Sequence, residues 1–412
     1  MSRLSRRSFL TLSGAAAAGA ALGRFATACP VLPPQPQLED AAAWTGQFGT
    51  DLFARLRTEP GNLFISPFSI QTALAMTAAG ARGITADEMF KTLRLWGDPH
   101  PAFGELIATV NRNAKVEKPA FELTTANAVW AGQQYPWQED YLNLTRKHYG
   151  AGVIPTDFGQ PEPARRRING WVETETRQKI KELIAEGVID TLTVMVLTNA
   201  IYFKSAWQTP FEKFNTRDQP FTRADGTKAP VPLMHQQETI PYLETDGLQV
   251  VELPYVKREL SMVVVLPRTA DGLAKVEDGL SAEKLAGWAK AMNSTETRVF
   301  LPRFTVEWDK ELVPVLKAMG MVTACEISAD FSGMITKKMR IWISNVIHKA
   351  FVSVDEAGTE AAAATAVVMK RASAVQAPQP KEFRADRPFL FLIRDNKTKA
   401  ILFLGRYAGP KG

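Results

Sequence analysis

Cysteine is nearly absent. The chain has two among 412 residues, Cys29 and Cys325, which excludes a disulfide scaffold and any four-cysteine zinc site. Histidine is almost as scarce, with four, at positions 100, 148, 235 and 348. A His-rich metal centre is therefore excluded as well, and nothing implies a cofactor. There is no internal repeat, no Gly-x-Ser-x-Gly elbow, no His-Glu-x-x-His pair and no P-loop, so the commonest hydrolase and nucleotide-binding signatures are missing. A real surplus of one charge is missing too. Setting aside Arg3, Arg6, Arg7 and Arg24, which precede Cys29, reduces the formal +6 to 45 basic against 43 acidic residues. That excess is too small to suggest a phosphate-facing surface for nucleic acid. The remaining composition, 45% apolar and 22% charged, is that of a globular protein. A length of 412 residues exceeds the roughly 250–300 at which one core usually stops growing, and alone suggests two domains or one large mixed fold.

The N-terminal segment contains no acid. Ser5-Arg6-Arg7-Ser8-Phe9-Leu10 opens a charge-free run of 16 residues, Ser8 to Gly23, shorter than the roughly 20 needed to span a bilayer. The basic start, the weakly apolar middle and Ala26-Thr27-Ala28 predict an export signal over residues 1–28. The paired arginines resemble a bacterial twin-arginine signal; an uncleaved anchor helix is the alternative. Small residues before Cys29 resemble a lipoprotein cleavage site, although Ala26 stands where Leu is usual, so the membrane is a partner only if Cys29 is lipidated. Residues 29–38, with four prolines from Pro30 to Pro36, read as a stiff linker. The folded part is expected over 39–412, in the periplasm or outside the cell.

Helical periodicity comes first. Phe48, Leu52, Phe53 and Leu56 share a face that ends at Pro60-Gly61, and a second helix is predicted from Pro67 to Ala79, with Ser66 as its N-cap. A third is predicted over Ala164–Ala185. Strand signals follow. The continuous apolar run Val194–Phe203 suits a strand buried on both faces, Leu260–Leu266 and Ile341–Val346 are similar, and Phe389–Ile393 with Ile401–Leu404 reads as a hairpin. Helices before strands without regular alternation give an α+β class.

One segment fits neither pattern. From Asp355 to Pro380 the chain carries Gly358, Thr359, Glu360, four alanines, Thr365, Ala366 and then Val367 to Met369, followed by Lys370-Arg371-Ala372-Ser373 and a Pro/Gln stretch. It reads as a short alanine helix and loop, or as a strand of period two. In the second reading Thr359, Ala361, Ala363, Thr365, Val367 and Met369 share one uncharged face, and Arg371 is the first charge on it.

The flanking residues favour the second reading. Asn345–Ala350 ahead of Asp355-Glu356-Ala357-Gly358-Thr359-Glu360 and the alanines resembles the reactive-centre-loop hinge of serpins, suicide-type protease inhibitors. Asn62–Ser69, Thr198–Trp207, Leu301-Pro302-Arg303-Phe304, Asp330–Met334 and Phe383–Phe391 resemble other motifs of that family in order, with Ser205 where glycine is more usual. The resemblance implies a single domain of three β-sheets with about eight or nine helices and an exposed loop at about 356–380. That replaces the two-domain expectation.

The resemblance also implies a mechanism and not a catalytic site. A target serine protease, with a cysteine protease as the alternative, cuts the loop and is held as an acyl-enzyme while the loop enters the central sheet. The hinge would be Glu356, Gly358, Thr359, Ala361, Ala363 and Thr365. Glu356 would form a surface pair with Arg303, Trp207 would pack where the loop enters, and Ser66, Ser69, Asn199 and His348 would form the polar cluster where strands part, with His348 structural. Seventeen residues counted from Glu356 place the cut at Ala372-Ser373, for elastase- or subtilisin-like targets. One residue fewer gives Arg371-Ala372 and trypsin-like targets. The 14 steps from Gly358 to Ala372 span roughly 45 Å as a strand. A monomer is expected. The rival is a non-inhibitory carrier or chaperone on the same fold, and Arg165-Arg166-Arg167 reads as a solvated helix face before a polyanion site.

Overall fold

The computed structural model describes residues 34–113, 116, 120–359 and 379–410. The export signal, Cys29 and loop positions Ala361, Ala363, Thr365, Arg371, Ala372 and Ser373 lie outside the described residues.

Nine α-helices occur among the described residues. Helix α1 (Leu38–Leu56) buries the Phe48, Leu52, Phe53 and Leu56 stripe, and the chain turns at Gly61 with φ +85°. Helix α2 (Pro67–Ala78) starts at Ser66, whose hydroxyl accepts the Ser69 N–H at 3.2 Å, with Pro67 at the first helical position. Every residue of α2 is buried. Helices α3 (Gly83–Thr92), α4 (His100–Val110) and α5 (Glu139–Tyr149) follow, then α6 (Pro161–Glu175), α7 (Leu273–Asp278), α8 (Ala282–Ala291) and α9 (Val313–Ala318).

The helix expected over Ala164–Ala185 is corrected: it ends with α6. The buried Thr176 hydroxyl donates to the Val172 carbonyl and accepts the Ile180 N–H at 3.2 Å, closing the helix end. Arg177, Gln178 and Glu182 then take positive φ, and Ile180, Leu183 and Ile184 are buried in the cluster on the sheet. Their helix-like spacing reflects that burial and not a continuing helix.

The central sheet has the order β10 (Phe304–Glu311), β11 (Asn345–Val354), β12 (Gly358–Thr359), β4 (Met195–Ala206), β2 (Phe121–Gly132), β3 (Val153–Thr156). The strand expected over Ile341–Val346 therefore begins four residues later. Ile341 and Ile343 are buried, but Ile343 N–H donates to the Ala324 carbonyl instead of joining a strand.

The second network runs β1 (Leu63–Ile65), β15 (Ile401–Tyr407), β14 (Phe389–Asp395), β8 (Leu260–Pro267), β7 (Leu248–Pro254), β6 (Lys228–Glu244), β9 (Asn293–Pro302), β13 (Lys381–Arg384), with β5 (Arg217–Thr222) on β6. Two of the three expected sheets are joined in it, because the 17-residue β6 pairs with β5 at its start, β9 along its middle and β7 at its end. The main apolar core includes residues of α1, α2 and both networks. A separate cluster joins Ile168 and Val172 of α6, with Ile180 and Ile184, to Trp130, Val196, Ala200 and Ile347 of the central sheet.

Candidate functional site

The central sheet parts at one end. β11 and β4 pair in parallel from Asn345–Val196 to Phe351–Tyr202. Beyond that point Gly358 and Thr359 lie between them, antiparallel to both: Thr359 pairs with Val354 and Ser205, and Gly358 with Ala206. These two residues are the first of the alternating segment singled out in the sequence.

Local chemistry holds that reversal. Asp355 Oδ1 accepts the N–H groups of Ala357 at 2.8 Å and Gly358 at 3.1 Å, a side-chain-made turn. Gly358 has φ +154°, and a Cβ there would collide with the Ser205 carbonyl oxygen and lie 2.7 Å from Ala206 Cα, so only glycine fits. Trp207 donates Nε1–H to the Asp355 carbonyl at 2.9 Å and its own N–H to Ala357 at 3.0 Å. Its ring stacks on Tyr255 with centroids 4.6 Å apart. The Tyr255 hydroxyl lies 2.7 Å from Thr359 Oγ1, and both side chains are wholly buried. Thr359 thus brings its polar atom into the core with a partner waiting, which avoids the desolvation penalty of an orphan.

Glu356 and Arg303 lie together, 2.9 Å apart, but not as a surface pair. The Glu356 side chain is 4% exposed against 49% for Arg303, and Thr216 Oγ1 also donates to it at 2.7 Å. Burial pushes the Glu356 carboxyl upward. Hydrogen bonds from Thr216 and its own backbone N–H, with the Arg303 charge, outweigh that and leave it below the ordinary value.

Further along the same two strands lies a closed polar cluster. His348 and Asn199 are direct neighbours on β11 and β4. His348 Nδ1–H donates to Asn199 Oδ1, while Nε2 accepts the Ser66 N–H at 3.2 Å. Those partners fix one neutral tautomer. Burial pushes the imidazole down to about 3, and protonating Nε2 would set two N–H groups against each other. Asn199 Nδ2 donates to Ser69 Oγ at 2.7 Å and Asn127 Oδ1 at 2.7 Å, and Ser66 Oγ donates to the Leu402 carbonyl at 2.7 Å.

Three members of the site escaped the sequence reading. Tyr255 follows a strand with no motif around it, Thr216 lies in a loop, and Asn127 sits in β2 among alternating small residues. An amide on a strand face shared with Leu123, Val129 and Ala131 is the available signal for Asn127; the other two have none.

The pattern of the family described as Serpin (serine protease inhibitor) matches residues 43–410. Human Serpin B3 is 40% identical over 388 residues, covering 88% of this chain and 98% of that protein. The leukocyte elastase inhibitor of Bos taurus is 41% identical over 385 residues, covering 90% of this chain and all of that one. Among solved structures, uncleaved ovalbumin superposes with a TM-score of 0.80 at 30% identity, over 90% of this chain and 100% of its own. Serpin48 of Tenebrio molitor gives 0.79 at 31%, over 91% and 98%. Likeness of that breadth in sequence and in fold places the chain in the serpin family.

Proposed function

We propose that this serpin inhibits serine proteases by offering its loop as a substrate, holding the acyl-enzyme and inserting the cut loop between β11 and β4. One observation carries the reading: Gly358 and Thr359 already sit between those strands, hydrogen-bonded on both edges. Extending their register brings Thr365 between Asn199 of β4 and His348 of β11, so a second threonine would meet the polar cluster as the strands part. Ala361, Ala363, Val367 and Met369 would share its face. The first charge on that face is Arg371, after the point where β11 and β4 begin to pair.

The bovine relative is named as an elastase inhibitor, which supports an elastase-like target and a cut at Ala372-Ser373 over a trypsin-like cut at Arg371-Ala372. Serine proteases are the target class, and the inhibitor acts as a monomer. Export through a twin-arginine signal to the periplasm or beyond belongs to the same proposal, with lipid attachment if Cys29 is modified. The mass of the mature N-terminus tests both.

The deciding experiment incubates the protein with elastase-, subtilisin-, trypsin- and chymotrypsin-type proteases. A covalent complex that survives denaturation, and the mass of the released C-terminal peptide, identify target class and bond. Cleavage with full protease activity remaining overturns the reading.

A further inference from the structure

Eight large apolar side chains are exposed among the described residues, and five of them, Ile84, Leu192, Val322, Ile327 and Met339, gather at one end of the molecule. Bonds between their segments bring them there. Glu88, one turn after Ile84 on α3, accepts the N–H groups of Val322 at 2.9 Å and Thr323 at 2.6 Å. Ile343 N–H donates to the Ala324 carbonyl at 3.0 Å, and Arg340 Nη1 to the Ile327 carbonyl at 3.2 Å. Val194 N–H, two residues past Leu192, donates to Ser344 Oγ at 3.0 Å. β11 and β4 both begin at this end, with Asn345 and Met195. The ten residues of β11 therefore set it about 30 Å from the hinge.

The exposed side chains stand on four separate segments: the start of α3, the stretch after α9, the stretch before β11 and the turn before β4. Their backbone is already bonded within the chain. Leu192 N–H donates to Asp190 at 2.9 Å and Met339 N–H to the Lys337 carbonyl at 2.8 Å, as Val322 N–H does to Glu88. Excluding water here leaves few polar groups unpaired. Most carboxylates at this end are engaged as well. Glu88 and Asp190 hold those N–H groups, Asp330 accepts the Ser332 N–H at 3.0 Å, and Glu326 pairs with Lys317 at 3.3 Å. Asp87 is the exception. Lys337, Lys338 and Arg340 are exposed, and none has a carboxylate partner among the described residues.

We propose that this end docks on an anionic lipid surface, with Lys337, Lys338 and Arg340 against the head groups and Leu192, Ile327 and Met339 in the boundary beneath them. The unpaired cations select an anionic partner. The scatter of the apolar side chains selects a bilayer, which takes projecting side chains singly, over a protein, whose surface would have to fit all of them together. Docked this way, the hinge points to water. The proposal does not depend on loop insertion.

The test is cosedimentation of the full, unlipidated chain with vesicles of phosphatidylcholine alone and of equal parts phosphatidylcholine and phosphatidylglycerol. A peptide of residues 1–28 is measured alongside, to subtract what its arginines contribute. Binding to the mixed vesicles, weakened by salt and nearly absent on phosphatidylcholine, is expected. Lys337→Ala with Lys338→Ala should weaken it about tenfold or more, at roughly fivefold for each cation removed. Leu192→Ser with Ile327→Ser should weaken it about tenfold at an unchanged urea midpoint, because both side chains are exposed in the free protein. Binding that is indifferent to the lysine pair, or untouched by loss of the two apolar side chains, overturns the proposal. So does a dimer of the parent that Leu192→Ser dissolves, which would assign this end to a second copy of the chain. None of these results bears on protease inhibition.

Discussion

Thr359 is the side chain on which insertion would turn. It is wholly buried beside Tyr255 and between two strands, so Thr359→Arg forces an unpaired charge into that position, at a cost of several kcal/mol. The variant is expected to be cleaved by the target protease as an ordinary substrate, with the covalent complex lost in a denaturing gel. Trapping at the parent's stoichiometry would sink the insertion argument. His348 acts through pH. Its folded value lies near 3, below the ordinary 6.5, so the unfolded chain takes up a proton first as pH falls. The stability it supports is full above about pH 6.5 and declines toward pH 3, by at most about 1.4 kcal/mol per pH unit. His100, pushed down to about 4 by burial, adds a second share. Denaturant midpoints between pH 7 and pH 5 should fall for the parent and fall less steeply for His348→Gln. Glu356, held low, has the neighbouring window: its contribution is present above the ordinary carboxylate range and is lost as pH drops through its folded value.

Among the elements, α6 and the turns after it cover the strands that would separate. Ile184 is wholly buried there, in the cluster with Val196 and Ile347, and Ile184→Ala should lower stability by about 2–4 kcal/mol through the cavity it leaves, read as a shifted urea midpoint. The same region marks how far sequence reasoning reaches. The buried stripe of α1, the Ser66 cap, the both-faces-buried β4 and the β14–β15 hairpin follow from periodicity, capping and turn chemistry, which are local. The early end of α6 does not, because Thr176 closes the helix through bonds to residues four before and four after it, while Ile180 and Ile184 keep helical spacing for a tertiary reason. The site divides in the same way. Glu356, Gly358 and Thr359 stand in one readable segment, whereas Tyr255 and Thr216 arrive from distant parts of the chain and touch it only once folded, as Asn127 touches Ser69 and Asn199 in the polar cluster.

At the scale of the whole molecule, the intact chain leaves β11 and β4 paired over Asn345–Phe351 with two residues of the hinge between them beyond that pairing. Under the proposed mechanism, cleavage at 371–373 would free the segment to continue the register, so the nicked protein should melt about 10 °C or more above the intact one, each kcal/mol gained shifting a chain of this length by about 1–2 °C. Scanning calorimetry before and after nicking measures it, and equal transitions would refute insertion. The pairing of β1 with β15 has a different result. Leu63 sits opposite Arg406 and Ile65 opposite Leu404, so β1 receives its neighbour from residues translated more than 300 positions after it. At about 5–20 residues per second that wait lasts roughly 20–70 s, during which Leu63, Phe64 and Ile65 lack the partner they have in the finished sheet. A stop codon placed ahead of β15, before Ile401, would make the wait permanent.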